Sequence, residues 1–152
     1  MKLIPQKNEE QQVKPTSPQK QKREASPAPH IITREETEAA IIKYTNSTDR
    51  TNLESYMVNK VPFILYATDC CQLMTPKEVV IQMDYINEGM PFTFDQKNPT
   101  ILNLKAKNPQ FSDTFIGISQ TQQQAAIFTI NTKTNLIESI QLSVSWKLYN
   151  QK

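Results

Sequence analysis

Apolar residues fall in short runs separated by polar segments, and the longest run covers residues 61–74, VPFILYATDCCQLM. It is rich in aromatic and β-branched residues, which are typical of strands. Pro62 cannot donate a hydrogen bond within a sheet, so we expect the strand to begin at a sheet edge or at a barrel rim. Because both faces of the run are mostly apolar, the pattern predicts one long strand that bends between two layers of a small β domain.

Four more strands are predicted after this run. Apolar and polar residues alternate in each of them, and turn signals separate them at residues 75–78, 87–89 and 108–109. The predicted strands cover residues 79–86, 100–107, 114–121 and 125–131. Between the first two of these strands, residues 90–99 form a loop or an irregular strand.

The last segment, residues 134–150, fits two patterns. A strand is indicated by apolar residues at alternate positions: Ile140, Leu142, Val144, Trp146 and Leu148. A helix is indicated by one apolar stripe at period 3.6: Ile137, Ile140, Val144 and Leu148. The serines at 143 and 145 weaken the helix, so periodicity alone favours the strand, while the helix stays open.

Two helices are predicted before the first strand. Thr33 with Glu36 three residues later forms a capping box, which predicts the start of a helix of about three turns, and the polar cluster at residues 46–49 predicts its end before Asn46. A second, short helix is predicted over residues 50–59. The chain therefore divides into a tail over residues 1–30, a helical leader over residues 31–60 and a β domain over residues 61–152.

The tail holds five of the ten prolines and almost no large apolar residues, so we expect it to be disordered. It carries six Lys or Arg against three Glu, whereas the whole chain has a net charge of +2. Its basic run at residues 20–23 fits a short nuclear-import signal or a solvated linker. The remainder of the chain is close to neutral, which argues against tight binding of nucleic acid by this chain alone.

Sequence patterns of enzymes and of metal sites are missing. Two glycines are too few for a glycine-rich phosphate loop, and the single histidine, His30, lies in the tail, away from any nucleophile of the folded body. Cys70 and Cys71 are neighbours on a predicted strand, so their side chains point to opposite faces and cannot share a metal. We therefore expect no catalysis, no cofactor and no metal. No apolar run approaches the ~20 residues of a membrane span, so we expect no membrane partner.

Aromatic residues are the remaining signal, because proteins that bind single strands stack bases on aromatic rings beside Lys or Arg. Most aromatic residues here fall on predicted strands, where core packing is their usual role. Phe92, Phe94 and Lys97 lie in the predicted loop instead. They are the candidates for exposure and for contact with nucleic acid.

Five short strands followed by a terminal segment resemble the layout of an OB-fold barrel. The final third resembles the smallest subunit of the CST telomere-capping complex, and more distantly the small subunit of replication protein A. The stretches that carry the resemblance are TFIGISQTQ (114–122), AAIFTIN (125–131) and TNLIESIQLSVSWKLYN (134–150). Two features depart from the family: the first strand lacks a glycine where the barrel bends, and a helical leader precedes it.

The resemblance implies a mainly β fold with flanking helices, built on a five-stranded OB-like barrel. It also implies a non-catalytic nuclear subunit at telomeric chromatin, which pairs through a C-terminal helix with a larger OB-fold protein and meets single-stranded DNA only within the complex. The implied partner interface includes Leu136, Ile137, Ile140, Val144, Trp146 and Leu148. Trp146 is the expected anchor, since interfaces favour large aromatic residues. The alternative is that these residues close the domain's own core.

Two other functions stay open. The chain fits a structural subunit of a large ciliary or ribonucleoprotein assembly, and it fits an accessory subunit of a nuclear enzyme that modifies nucleic acid. A strand over residues 134–150 would remove the main support for the telomeric resemblance, because that resemblance requires a terminal helix.

Overall fold

The structure is a computed structural model that describes residues 30–66 and 69–150, without the side chains of residues 69–71. The helices and strands given below all belong to one compact unit, Ile32–Lys152. The predicted disordered tail lies outside the described residues, apart from His30. The prediction for the Cys70 and Cys71 side chains lies outside them as well.

Strands and helices are interspersed along the chain. The strands are β1 Val61–Tyr66, β2 Asp69–Met74, β3 Phe92–Thr93, β4 Phe115–Ser119, β5 Ala125–Ile130 and β6 Ile137–Ser143. The α-helices are α1 Arg34–Thr45, α2 Pro76–Gln82 and α3 Pro99–Lys107. Short 3₁₀ helices cover Thr51–Tyr56, Met83–Gly89, Pro109–Phe111 and Trp146–Asn150.

Within the described residues, six strands form one mixed sheet in the order β2-β1-β6-β5-β4-β3. β1 and β6 run parallel, and the other neighbours are antiparallel. The predicted class, β-rich with flanking helices, is confirmed. The predicted five-stranded barrel is wrong, because the sheet has six strands and stays open, with β2 at one edge and β3 at the other.

The long apolar run is a hairpin of two strands. β1 and β2 pair antiparallel, with Val61 opposite Met74 and Phe63 opposite Gln72. The prediction of one bent strand is therefore wrong. Alternate residues of β1 face opposite sides of the sheet, since Val61 and Phe63 are buried in one core and Tyr66 packs against the other.

The strands predicted at 79–86 and 100–107 are helical. Thr75 accepts a hydrogen bond from the Glu78 backbone N–H at 3.3 Å and caps α2, and Pro76 occupies the first turn. Asn98 caps α3 in the same way, by accepting from the Thr100 N–H at 2.8 Å. Residues that were interpreted as turns are thus the first residues of helices.

Other predictions are confirmed. Thr33 accepts from the Glu36 N–H and caps α1 as the capping box predicts, and α1 ends at Thr45, before Asn46, as expected. The short helix predicted at 50–59 is the 3₁₀ helix Thr51–Tyr56, and β4 and β5 lie within their predicted ranges. The strand interpretation of the last segment is correct for Ile137–Ser143, and the helix interpretation is wrong there.

The sheet is covered on two faces. On the front face, α1, α2 and two of the 3₁₀ helices pack against the sheet over a core that includes Phe63, Phe128, Ile140 and Leu142. On the back face, α3 and the C-terminal 3₁₀ helix pack over a smaller core that includes Ile116, Ile118, Ala125 and Ile127. Neighbours along β5, Ile127 and Phe128, therefore serve different cores, as side-chain alternation on a strand requires.

Candidate functional site

The residues of the predicted partner interface separate into buried and accessible groups. Ile137 and Ile140 are fully buried in the front core, because β6 lies inside the sheet between β1 and β5. Leu136, Trp146 and Leu148 are half-buried, and Trp146 packs against the back core. Val144 is 50% exposed. Ile137 and Ile140 thus fill the protein's own core, and Val144 is the member of the set most accessible to a partner.

The C-terminal 3₁₀ helix is anchored to the back face by aromatic contacts. Tyr149 stacks on Tyr66 with ring centroids 4.5 Å apart, and it meets Phe111 edge to face at 5.2 Å. Its hydroxyl accepts a hydrogen bond from the Gln141 amide at 2.8 Å. Burial raises the pKa of Tyr149 well above its ordinary value. These contacts hold the C-terminal 3₁₀ helix against the back face, so Tyr149 packs within the protein and is not free to contact a partner.

The exposure predicted for Phe92 and Phe94 is wrong. Their side chains are 4% and 8% exposed, so neither ring offers a free face to a nucleic-acid base. Phe94 stacks on Phe115 with centroids 5.1 Å apart and covers Gly117 of β4. Lys97 is exposed, as predicted. The signal that was missed is Gly117, since a glycine within a strand often marks the close approach of another group.

The β3 edge of the sheet is closed by side-chain amides. The Asn46 Oδ1 accepts from the Phe92 N–H at 2.6 Å, and its Nδ2 donates to the Phe92 carbonyl at 3.1 Å. Further along, the Gln96 Nε2 donates to the Ile116 carbonyl at 2.8 Å, and its Oε1 accepts from the Ile116 N–H at 3.3 Å. Each carboxamide makes the pair of bonds that a neighbouring strand would make. Another strand cannot bind these backbone groups without displacing the amides.

The opposite edge is open. Among the described strands, β2 pairs only with β1, so the outer backbone groups of Asp69–Met74 face no strand. Leu73 is 65% exposed and lies opposite Pro62 on the back face, with Ile64 next along β1. The sequence of β2, DCCQLM, contains neither Lys nor Pro, the residues that commonly protect an edge. We call the outer edge of β2 together with Pro62, Ile64 and Leu73 the open sheet end.

A polar cleft of about 520 Å³ lies where β4 begins and β5 ends. Its walls come from α1, α3, the turn before β4 and the loop after β5. Phe115 and Ile130, both buried, are the apolar residues of its lining. The ionisable residues that line it are Arg34, Glu38, Lys105, Asp113 and Glu138.

The charges of the cleft are partly matched. Arg34 and Glu38 form an ion pair with the Arg34 Nε and the Glu38 Oε1 3.0 Å apart. Partial burial lowers the pKa of Lys105, and the nearby Asp113 carboxylate opposes that shift. Glu138 forms no ion pair with any residue that the structure describes. Among those same residues, no group of three or more His, Cys, Asp or Glu side chains could hold a metal ion.

Arg50 is a buried charge outside the cleft. Its guanidinium donates to the Thr45 carbonyl at 3.3 Å and to Asp84 at 3.2 Å, and burial lowers its pKa. Asp84 is itself mostly exposed. Arg50 thereby ties the end of α1 to the 3₁₀ helix Met83–Gly89, which is a structural task.

No family model and no curated protein matches the chain. No helix in the described part of the chain is both long and apolar enough to cross a membrane.

Proposed function

We propose that the protein is a non-catalytic subunit of a larger assembly and that it binds a partner protein at the open sheet end. The observation that carries this proposal is the contrast between the two edges of the sheet. Asn46 and Gln96 occupy the backbone groups at the β3 edge. The β2 edge has no such protection in the described residues, and an apolar side chain is exposed beside it.

An open edge of this kind binds an extended segment of another chain. The unpaired N–H and C=O groups of β2 supply backbone hydrogen bonds, and pockets for alternate side chains supply specificity. On the back face, Leu73 is the first apolar side chain that the added strand would meet. The proposed partner is therefore an extended segment with apolar residues at alternate positions, of which one set packs beside Leu73.

The telomeric form of this proposal rests on what is left of the sequence resemblance, since strand β6 removes the terminal helix that was its main support. In that form the partner is a larger OB-fold subunit in the nucleus, and single-stranded DNA is bound only by the complex. Two of the stretches that carry the resemblance, residues 114–122 and 125–131, contain β4 and β5. The third does not form the terminal helix that the family uses for pairing, because its residues 137–143 are strand β6. The open sheet end replaces that helix as the proposed contact surface.

The first experiment compares two leucines of similar exposure. Leu73 is 65% exposed at the open sheet end, and Leu102 is 52% exposed on α3. Neither replacement by Lys should change the free energy of unfolding by more than about 0.5 kcal/mol. We expect Leu73→Lys to weaken partner binding about tenfold or more, because a charge must lose its water beside the added strand, and Leu102→Lys to leave binding unchanged.

The measurement begins with tagged full-length chains in nuclear extract, and proteins recovered with each variant are identified by mass spectrometry. A partner recovered by the original chain and by Leu102→Lys, but lost with Leu73→Lys, is then purified. Its complex should slow amide hydrogen exchange in β2. A partner that survives Leu73→Lys and leaves β2 exchange unchanged would refute the proposed surface. A larger OB-fold protein would support the telomeric form, and ribosomal proteins or tubulin would contradict it.

DNA binding is tested separately. We expect the purified chain alone to bind single-stranded oligonucleotides weakly or not at all, because its net charge is only +2 and the Phe92 and Phe94 rings are buried. Titration at two salt concentrations by fluorescence anisotropy checks this. Nanomolar affinity of the isolated chain would contradict a function that depends on a partner.

A further inference from the structure

The register of the last hairpin directs one carboxylate into the polar cleft. Thr129 lies opposite Ser139, and Ile130 lies opposite Ile137, so Glu138 has no partner across the strands. This is a β-bulge, which changes the direction of a side chain at the expense of regular pairing. Glu138 lines the cleft together with Thr129 and Ile130, the residues across from the bulge.

The cleft carries an excess negative charge once its internal pairing is considered. Arg34 is paired with Glu38, and Asp113 is the opposite charge that acts most strongly on Lys105. Glu138 is not among the charges that act on Lys105, and it forms no ion pair with a described residue. Three carboxylates and two cations therefore leave one negative charge, located on the bulge.

The rest of the lining indicates the kind of ligand. The carboxylates do not gather into a group that could hold a metal ion within the described residues. Phe115 and Ile130 are its apolar lining residues, and Thr129 and Thr132 are hydroxyl-bearing lining residues. A ligand with a hydrocarbon body and one cationic head matches both parts of this lining. A cleft of about 520 Å³ is large enough for such a molecule.

We propose that the polar cleft is a binding site for an organic cation, an ammonium or guanidinium group on an aliphatic chain, with Glu138 as its counter-ion. The head group donates charge-assisted hydrogen bonds to Glu138, and the aliphatic chain lies on Phe115 and Ile130. Two sources offer this chemistry, a Lys or Arg side chain of a basic peptide and a free polyamine. The site is separate from the open sheet end and does not depend on the function proposed for it.

The test uses the full-length chain with two probes, spermidine and a short Lys-rich peptide with blocked ends. Binding is followed by calorimetry and by changes in the amide NMR signals of Thr129–Thr132 and Glu138. Glu138→Gln should weaken binding of the cationic probe by about tenfold to a hundredfold, the usual effect of losing a charge-assisted hydrogen bond. Glu88→Gln is the matched control, since Glu88 is exposed and outside the cleft, and it should have no effect.

A second variant keeps the proposal open to refutation. Lys105→Gln removes a cation from the cleft, so binding of the cationic probe should become tighter. Weaker binding after Lys105→Gln, or tighter binding of an acidic peptide than of either cationic probe, would overturn the proposal. Equal losses with Glu138→Gln and Glu88→Gln would also overturn it, because they would show diffuse attraction to the surface. Among supporting outcomes, tighter binding of the peptide or of spermidine identifies the source of the cation.

Discussion

At the scale of single residues, Gly117 sets how closely the β3 edge packs on the sheet. The ring of Phe94 lies where a Cβ at Gly117 would be, and an added methyl group would collide with three of its carbon atoms. Phe94 in turn stacks on Phe115 and tilts against Phe128, so it has little room to move. The absence of one side chain thus allows an aromatic cluster to form over β4.

We predict that Gly117→Ala lowers the free energy of unfolding by about 1–3 kcal/mol through overpacking. Urea denaturation measures the change. In a Phe94→Leu background, Gly117→Ala should lower the free energy of unfolding by clearly less, because the smaller side chain leaves space for the methyl group. An equal cost in both backgrounds would show that the clash with the ring is not the cause.

At the scale of elements, the two edge strands of the sheet differ in how their backbone groups are satisfied. β3 has only two residues, and the Asn46 carboxamide supplies the bonds that a longer neighbour would have supplied. β2 has six residues and no comparable side chain on its outer edge in the described part of the structure. Side-chain amides therefore satisfy the backbone groups at the β3 edge, and a partner strand is proposed to satisfy them at the β2 edge.

We predict that Asn46→Ala lowers the free energy of unfolding by about 1–3 kcal/mol, since it removes the partners of the Phe92 N–H and carbonyl groups. Asn103→Ala is the control, because Asn103 is exposed on α3, and it should change stability by less than about 0.5 kcal/mol. Thermal or urea unfolding gives both values. Similar effects of the two substitutions would mean that the edge amide contributes nothing particular to stability.

The helices show why some elements could be predicted and others could not. The start of α1 could be predicted from Thr33 and Glu36, and the structure shows the predicted cap. α2 and α3 begin with Thr75-Pro76 and Asn98-Pro99, pairs of residues that serve equally well in turns. The short apolar stretches after them fit period two by chance. Ile81 and Leu102, assigned to predicted strands, are exposed on the helices instead.

At the scale of the whole molecule, the open form of the sheet was beyond prediction from local pattern. Alternation located β4, β5 and β6, but closure of a sheet depends on which strands pair. β1 pairs with β6, whose residues are far away in the sequence, and no local signal specifies that pairing. The polar cleft could not be predicted from local pattern either, since Arg34, Lys105 and Glu138 come together only after α1, α3 and the bulge are in place.

The parallel pair of β1 and β6 also determines when the fold can be completed during synthesis. Among the described strands, the hairpin of β1 and β2 joins the others only through β6, which is the last of these strands to leave the ribosome. Until then, the apolar side chains of Val61, Phe63 and Met74 lack the sheet that buries them. Distant pairings of this kind slow folding and prolong the exposure of apolar surface. We therefore expect the nascent chain to pass through an interval in which chaperones, or the partner proposed for β2, can bind the hairpin before β6 does.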